Sequence, residues 1–517
     1  MDDKFNEVVR VLSDASVTLH SPYQVDGVKW MLQREMSGKK GGLLCDEPGL
    51  GKTIETISTM IGNPVAHTLI VVPISVIGQW KDAINLLKPD WKVLVHHGAS
   101  RATTVEELQQ YQVVLTSYSC LMKLVVGRGM RTTRMEATVL HKLTWGRVVL
   151  DECHEIRTAS SQRCKFATAI RAPIRWGLTG TPVQNKLDDI VSLFKFMKFD
   201  PLNLKSRVDE LKDEYLLRRT KEDVCEFNPS LQMPNLEVKI SELEFSTEAE
   251  RAFYKKVYDN VRSEFNDIQE DDTIRNPMAS MLELLLRLKQ TSVHPQLVLN
   301  GYGRKFGTTY EPWKGTATKT AALVSKIKAT PDERSLVFCE FREEMDILFD
   351  QFQREGMIVR RLDGSLSLQD RLRLMEDCND PVLDDPRAMD KPIEERGKDI
   401  DVLIIQIKAG GVGLNLQKFS RVYITVPNWN PCNEIQAIAR AHRLGQDSKV
   451  VVEKLVVVDN VVEGKTDMIR TIDERILGIQ ENKREIMVRI LADDRLKSNG
   501  VRVRQTLSRR DMRSLLR

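Results

Sequence analysis

Short apolar runs recur along the chain in two groups, and each run is followed by a stretch of helical length. The first group comprises residues 42–45, 69–72, 113–116, 148–150 and 176–179. The second comprises 336–339, 402–405, 422–426 and 450–452. These runs are apolar on consecutive positions and rich in Val, Ile and Leu. That pattern predicts strands buried on both faces, and so parallel sheets covered by helices. The expected fold class is α/β with two such lobes. Between them, over roughly 201–330, the pattern turns charged and helical. Residues 280–289 predict a strongly apolar helix, and 300–316, rich in Gly, Thr and Tyr, predict a loop. Pro381, Pro386 and Pro392 mark 379–400 as a surface insertion. The expected organisation is a first lobe over 1–229, a helical insertion and linker over 230–318, a second lobe over 319–496, and a basic tail over 497–517.

Ligands of parallel sheets bind outside the carboxyl ends of the strands, and the chemical motifs fall there. Just after the first run stand Asp46, Glu47, Pro48, Gly49, Leu50, Gly51, Lys52 and Thr53. Gly49 and Gly51 let the backbone approach a triphosphate with no Cβ in the way. Lys52 supplies a point charge to the β- and γ-phosphates, and the Thr53 hydroxyl is suited to Mg²⁺. Asp46 departs from the usual loop, because it occupies the position of the first glycine. After the run at 148–150 come Asp151, Glu152, Cys153 and His154. There Asp151 is the candidate metal ligand and Glu152 the candidate base for an attacking water. The two motifs together predict a nucleoside triphosphatase that uses ATP and Mg²⁺.

Arg440 and Arg443 are a further candidate pair. The reading places them on a helix, where positions three apart share a face and aim both guanidinium groups at one target. If that target is the ATP held by Lys52, turnover depends on both lobes. Gln24 offers an amide that both donates and accepts, as an adenine edge requires.

Composition changes this picture little. The 77 basic and 73 acidic residues give a net charge of +4, so affinity for nucleic acid has to come from local patches. The exception is 497–517, with seven basic residues and one acid. No apolar run approaches the roughly 18 residues of a membrane span, and the acidic start does not read as a secretory signal. The eight cysteines contain no C-x-x-C pair, so neither a disulfide framework nor a zinc module is expected, and an intracellular, reduced setting is.

The motif order resembles the SWI/SNF-type ATPases of helicase superfamily 2, over roughly 18–490. Tyr23 and Gln24 before Gly27 and Trp30 are similar to that family's adenine-reading segment. Residues 69–73, ending later in Gln79 and Trp80, resemble its DNA-contacting motif. Residues 178–185 resemble its coupling motif, and 216–221 the segment that opens the second lobe. Asp363-Gly364-Ser365, residues 409–415, Asn428 to Pro431 and Gln436 to Gln446 are similar to second-lobe motifs. Residues 471–477, with Ile479, Gln480, Lys483 and Arg484, look most like the repair and transcription-termination branch. The zinc-binding ring of many members of that branch has no counterpart here.

The resemblance implies two RecA-like lobes and a DNA-dependent ATPase that tracks along double-stranded DNA and remodels protein–DNA complexes. It implies cofactor contacts at Gly413 and Gln436 besides the phosphate loop. It implies nucleic-acid or coupling roles for Pro73, Thr116, Ser117, Thr179, Gly180, Thr181, Gly410, Gly411 and Trp429. Expected partners are double-stranded DNA and DNA-bound proteins or a multiprotein complex, with no membrane. The expected location is the nucleus in a eukaryotic host, otherwise a nucleoid or viral DNA compartment. The alternatives are a strand-separating DNA or RNA helicase, disfavoured by the lack of an evident long wedge hairpin, and a nucleotide-dependent scaffold with little turnover.

Overall fold

The computed structural model describes residues 2–491 apart from 21, 40, 127–132, 228–233, 271–276, 316, 367–369, 371–372, 375–377, 379–400, 408–415, 444–445, 447 and 460–468. The chain forms two compact units, residues 1–233 with 489–492, and 234–488 with 493–517.

The first unit holds β1 (Gly41–Leu44), β2 (Thr68–Val72), β3 (Val93–His96), β4 (Val113–Ser117), β5 (Met122–Val126), β6 (Thr133–Ala137), β7 (Arg147–Asp151), β8 (Ile174–Leu178) and β9 (Leu216–Leu217). Seven of them make a sheet in the order β3-β4-β2-β7-β8-β1-β9, and all its pairings are parallel. The five runs expected as strands are its five inner members. The two edges escaped the pattern. β3 is only partly buried along Val93–Val95, and β9 is two residues long. β5 and β6 form a separate antiparallel hairpin.

Segment 216–221 resembled the opening of a second lobe, but its strand closes the first sheet by pairing with β1. Its side chains therefore act on the first unit.

The second unit holds β10 (Leu236–Glu244), β11 (Ser335–Cys339), β12 (Val359–Leu362), β13 (Val402–Gln406), β14 (Arg421–Ile424) and β15 (Val450–Val458). They form one parallel sheet, β10-β15-β14-β11-β13-β12. Successive residues serve opposite faces: Leu336, Phe338, Leu403 and Ile405 pack into one core cluster, Val337, Cys339, Val402 and Ile404 into another. Residues 234–318, expected as insertion and linker, belong to this unit. β10 pairs with β15 along its whole length. As an edge strand with Glu237, Lys239, Glu242 and Glu244 among its apolar residues, it lacks the apolar run of a central strand. The helices Glu248–Glu270, Pro277–Val293 and Pro295–Phe306 pack around Tyr254, Leu285 and Leu288. The last of these extends over 300–306, the start of the stretch expected as a loop. The 379–400 insertion and the 497–517 tail lie outside the described residues.

One buried network fixes the strands that end in the chemical motifs. Glu35, on the helix Tyr23–Met36, accepts from Arg147 Nε of β7 at 2.7 Å and from Trp176 Nε1 of β8 at 2.8 Å. Arg147 is 1% exposed. Removing one partner of such a pair leaves a buried charge uncompensated, at a cost of roughly 3–5 kcal/mol. Glu35→Ala is therefore expected to lower unfolding stability by roughly that amount, read as a shift in the urea midpoint. A shift equivalent to under about 1 kcal/mol refutes the clamp.

Candidate active site

The phosphate loop leaves β1 and enters the helix Lys52–Gly62. Gly49 and Gly51 have φ of 98° and 90°, the left-handed region that glycine adopts without a Cβ clash. A Cβ on Gly51 would also lie 2.3 Å from Gln24 Nε2. Leu50 is fully buried, and its carbonyl accepts from the Tyr23 hydroxyl and from Gln24 Nε2, both at 3.0 Å. The Gln24 carbonyl oxygen accepts from the His20 amide at 2.8 Å. Gln24 thus braces the loop with the amide that the sequence offered to adenine. The Lys52 ammonium donates to the carbonyls of Asp46 (2.6 Å) and Glu47 (3.2 Å), and Thr53 stands in the first turn beside it.

Asp46 has a different place from the one expected. Its fully buried carboxylate accepts from Arg219 Nε at 3.0 Å, from the Arg219 backbone amide at 2.9 Å, and from Arg219 Nη2. Arg219 also donates to Glu55 at 2.8 Å and to the Tyr23 carbonyl. A carboxylate held in this way ties the loop to the segment after β9 and is not turned toward a phosphate. Burial opposes the Arg219 charge, but bonds and charges from Asp46 and Glu55 raise its pKa further. Two acids meet one guanidinium, and burial followed by the Asp46 charge pushes the Glu55 carboxyl well above its ordinary range. A Cβ on Gly27 would lie 1.8 Å from Glu55 Oε2, so this position leaves no room for a side chain.

The acidic motif follows β7. Asp151 accepts from the Trp80 indole at 2.8 Å and from the Glu152 amide at 2.9 Å. Burial, then the Glu152 charge, pushes its pKa up to about 6, against the Trp80 bond and the Lys52 charge. Glu152 sits at φ 49°, left-handed for a non-glycine residue. Its carboxylate lies 3.2 Å from His154 Nδ1, which also meets the Thr179 hydroxyl at 3.0 Å. The Tyr118 hydroxyl donates to the Asp151 carbonyl at 2.7 Å. Thr179 Oγ1 accepts from the Thr181 amide at 3.1 Å. A Cβ on Gly180 would lie 2.6 Å from Pro48 Cδ, so the turn after β8 presses on the phosphate loop.

Trp80, Tyr118, Glu55 and Arg219 are the site residues that sequence reasoning missed or placed elsewhere. The signal for Arg219 was Asp46 itself, since a buried acid in place of glycine requires a cation.

Other expected contacts fare differently. Pro73 is partly exposed at the end of β2. Thr116 and Ser117 are 0% and 2% exposed, and their hydroxyls bond the His96 carbonyl (3.0 Å) and Ser119 (2.8 Å). Those side chains face the interior and present nothing to a duplex. Trp429 packs with Tyr254, Leu285 and Ile472 in the helical layer of the second unit, under the Lys289 ammonium. Gln436 is buried on the helix Pro431–Ile438. That helix stops before the arginines. Arg440 and Arg443 stand on the turns after it, with the Arg440 amide on the Ala437 carbonyl and Arg443 Nε on the Ala439 carbonyl. The helix expected to carry both thus ends at Ile438, short of them. Gly410, Gly411 and Gly413 lie outside the described residues.

The SNF2-related domain matches residues 23–297, more than half of the chain, and the helicase conserved C-terminal domain matches 318–445. The chain belongs to the SNF2-related family. It is 27% identical to DNA repair protein RAD5B of Arabidopsis thaliana over 89% of this chain and 46% of that protein. It is 27% identical to the chromodomain-helicase-DNA-binding protein 3 homolog of Caenorhabditis elegans, over 88% of this chain and 26% of that one. To the ISWI chromatin-remodeling complex ATPase ISW1 of Saccharomyces cerevisiae it is 28% identical, over 86% and 39%. The SNF2-related chain thus spans half or less of the length of these relatives.

The clamp on the loop makes a signed prediction. A carboxyl whose folded pKa is raised adds stability at low pH, and that stability is lost as pH rises from the ordinary carboxyl range through the raised value. Glu55→Gln is therefore expected to be at least as stable as the parent at pH 8, with the advantage vanishing near pH 4. Arg219→Met strands two buried acids and is expected to cost roughly 3–5 kcal/mol at pH 8. Urea titrations at both pH values read the two effects. A Glu55→Gln variant destabilised equally at both contradicts the assignment.

Proposed function

We propose that this SNF2-related chain is a DNA-dependent ATPase that tracks along double-stranded DNA and remodels protein–DNA complexes. One observation carries the nucleotide part. A glycine-cornered loop and an Asp-Glu turn end strands of one parallel sheet, and Gly180 packs on Pro48 of that loop. The loop amides at the start of the helix Lys52–Gly62 and the absence of Cβ atoms at Gly49 and Gly51 fit a triphosphate. Lys52, Thr53 and Asp151 supply the donor set for ATP and Mg²⁺. When bound, the magnesium nucleotide supplies the transferable phosphoryl group. Lys52 then exchanges its two loop carbonyls for phosphate oxygens. Glu152 orients and deprotonates water, and His154 steadies its carboxylate. Arg440 and Arg443 are the candidate guanidinium donors for the transferred group. The DNA part is supported by family membership and by relatives named for DNA repair, DNA binding and chromatin remodelling. A nuclear location follows for a eukaryotic host.

Lys52→Ala is expected to abolish DNA-stimulated hydrolysis, since a charge-assisted contact alone is worth roughly 1.5–3 kcal/mol. Glu152→Gln is expected to bind ATP and stall, with turnover down roughly 10²–10⁴-fold. Parent rates in either variant refute the site. Arg440→Ala and Arg443→Ala are expected to keep nucleotide affinity while losing most DNA-stimulated turnover, up to the roughly 10³–10⁵-fold of a finger arginine. Retained stimulation in both removes them from the mechanism.

Among the described residues, the β5–β6 hairpin is the observation that favours strand separation. The assay that separates the readings compares displacement of a triplex third strand with unwinding of a plain duplex. Third-strand displacement alone supports the tracking reading. Duplex unwinding favours the helicase, and absence of turnover under all conditions favours a scaffold.

A further inference from the structure

We propose that the β5–β6 hairpin and the segment following the acidic motif form a docking groove for an extended, acidic and apolar peptide of a protein partner. Strand alternation divides the hairpin into two faces. Leu124 and Met135 stand directly opposite one another, next to the Met122–Ala137 pair, on one face, while Lys123 and Glu136 face the other way. Leu124 is 60% exposed and Met135 43% exposed, an apolar pair that gains by being covered. This face is one wall of an open groove of about 650 Å³, whose other wall includes Arg157, Gln162 and Arg163.

Chemistry selects the occupant. The methionines are flexible and polarisable, suited to varied apolar anchors. Arg163 pairs with Glu155, and Arg157 donates to the His154 carbonyl at 3.3 Å with one arm of a five-donor fork, which leaves that wall net positive. The groove residues include no aromatic ring on which a base stacks, so a single nucleic-acid strand is a poor fit. A cleft of this volume is ligand-sized and does not admit a duplex. An extended peptide lying in the groove between the two walls presents alternate side chains to each. Alternating apolar and acidic side chains then place apolar groups on Leu124 and Met135 and carboxylates toward Arg157.

The groove is continuous with the catalytic turn. Glu155 and Arg157 follow Glu152 through the single turn Cys153–Ile156. A seated peptide therefore contacts the segment that follows Glu152 directly. This regulatory part rests on Glu152 being the hydrolytic base.

The test uses the full chain without nucleotide and a fluorescein-labelled ten-residue peptide alternating Leu and Glu, with a Leu and Lys counterpart. Fluorescence anisotropy is expected to show binding of the acidic peptide. Binding is expected to weaken roughly tenfold or more for the Leu124→Ser, Met135→Ser double variant, for Arg157→Gln and for the basic peptide. Each variant is compared at a matched thermal midpoint and circular dichroism spectrum. The midpoint comparison separates loss of docking from loss of folding. Equal affinity for the two peptides, or parent affinity in both variants, overturns the groove. Displacement of the peptide by single-stranded DNA shows a nucleic-acid surface and also overturns it. The acidic peptide is further expected to change DNA-stimulated turnover in the parent and not in the variants. Unchanged parent turnover overturns the coupling to Glu152. Because docking is read without nucleotide, a chain that binds the peptide and never hydrolyses ATP refutes the proposed function alone.

Discussion

The buried guanidinium of Arg219 is the constraint on which the nucleotide loop depends. One side chain holds Asp46 at the start of the loop, Glu55 on the helix after it, and the Tyr23 carbonyl in the segment that braces it. These residues lie far apart in sequence, so the loop's shape is set by tertiary structure and not by its glycines alone. The glycines permit left-handed corners, and the ion cluster decides where those corners sit. A loop that binds a polyanion carries repulsion from its own acids. Here that repulsion is contained, because both acids face away into a cation and one of them favours the protonated form.

The parallel sheet converts that local anchoring into a site. β7, β8 and β1 are neighbours, and each ends in a segment bearing candidate chemistry. Arg147 and Trp176 of the first two both bond Glu35, on the helix whose first turn braces the loop. The turn after β8 then touches the loop through Gly180 and the acidic motif through Thr179 and His154. A change at any one of these three strand ends is felt at the other two by contact.

How much of this was legible follows from what each strand buries. Inner strands with both faces covered read as apolar runs, and those positions were found. β10 mixes charged with apolar residues and leaves Leu236, Val238 and Ile240 exposed, so no buried run marks it; β9 is too short to form a run, and the hairpin is an independent sheet with one charged face. The strand that opens the second unit is illegible for the same reason, because it sits far from the apolar runs. Motif residues were legible by type and spacing, but not in their partners. Asp46 and Gln24 were assigned outward to a ligand, whereas the fold uses both inward. The resemblance gives Thr116 and Ser117 nucleic-acid or coupling roles, yet their hydroxyls are taken by the interior. The helix carrying Arg440 and Arg443 was extrapolated past Ile438, where the backbone leaves the helical repeat.

The left-handed backbone at Glu152 joins the sequence and the chemistry most directly. Two adjacent carboxylates at the end of a straight strand point to opposite faces, which would remove one of them from the loop. Turning the second residue to φ 49° breaks that alternation. It leaves Asp151 on the Trp80 indole and brings Glu152 to His154. Such a conformation costs about 1–3 kcal/mol and persists only where the surroundings over-determine it. Here Tyr118 holds the Asp151 carbonyl, the Glu152 amide is taken by Asp151, and Cys153 is packed against Gly177. Glycine would relieve the strain at this position but would remove the carboxylate. The strain at Glu152 is thus the structural requirement for directing neighbouring acids to two different partners.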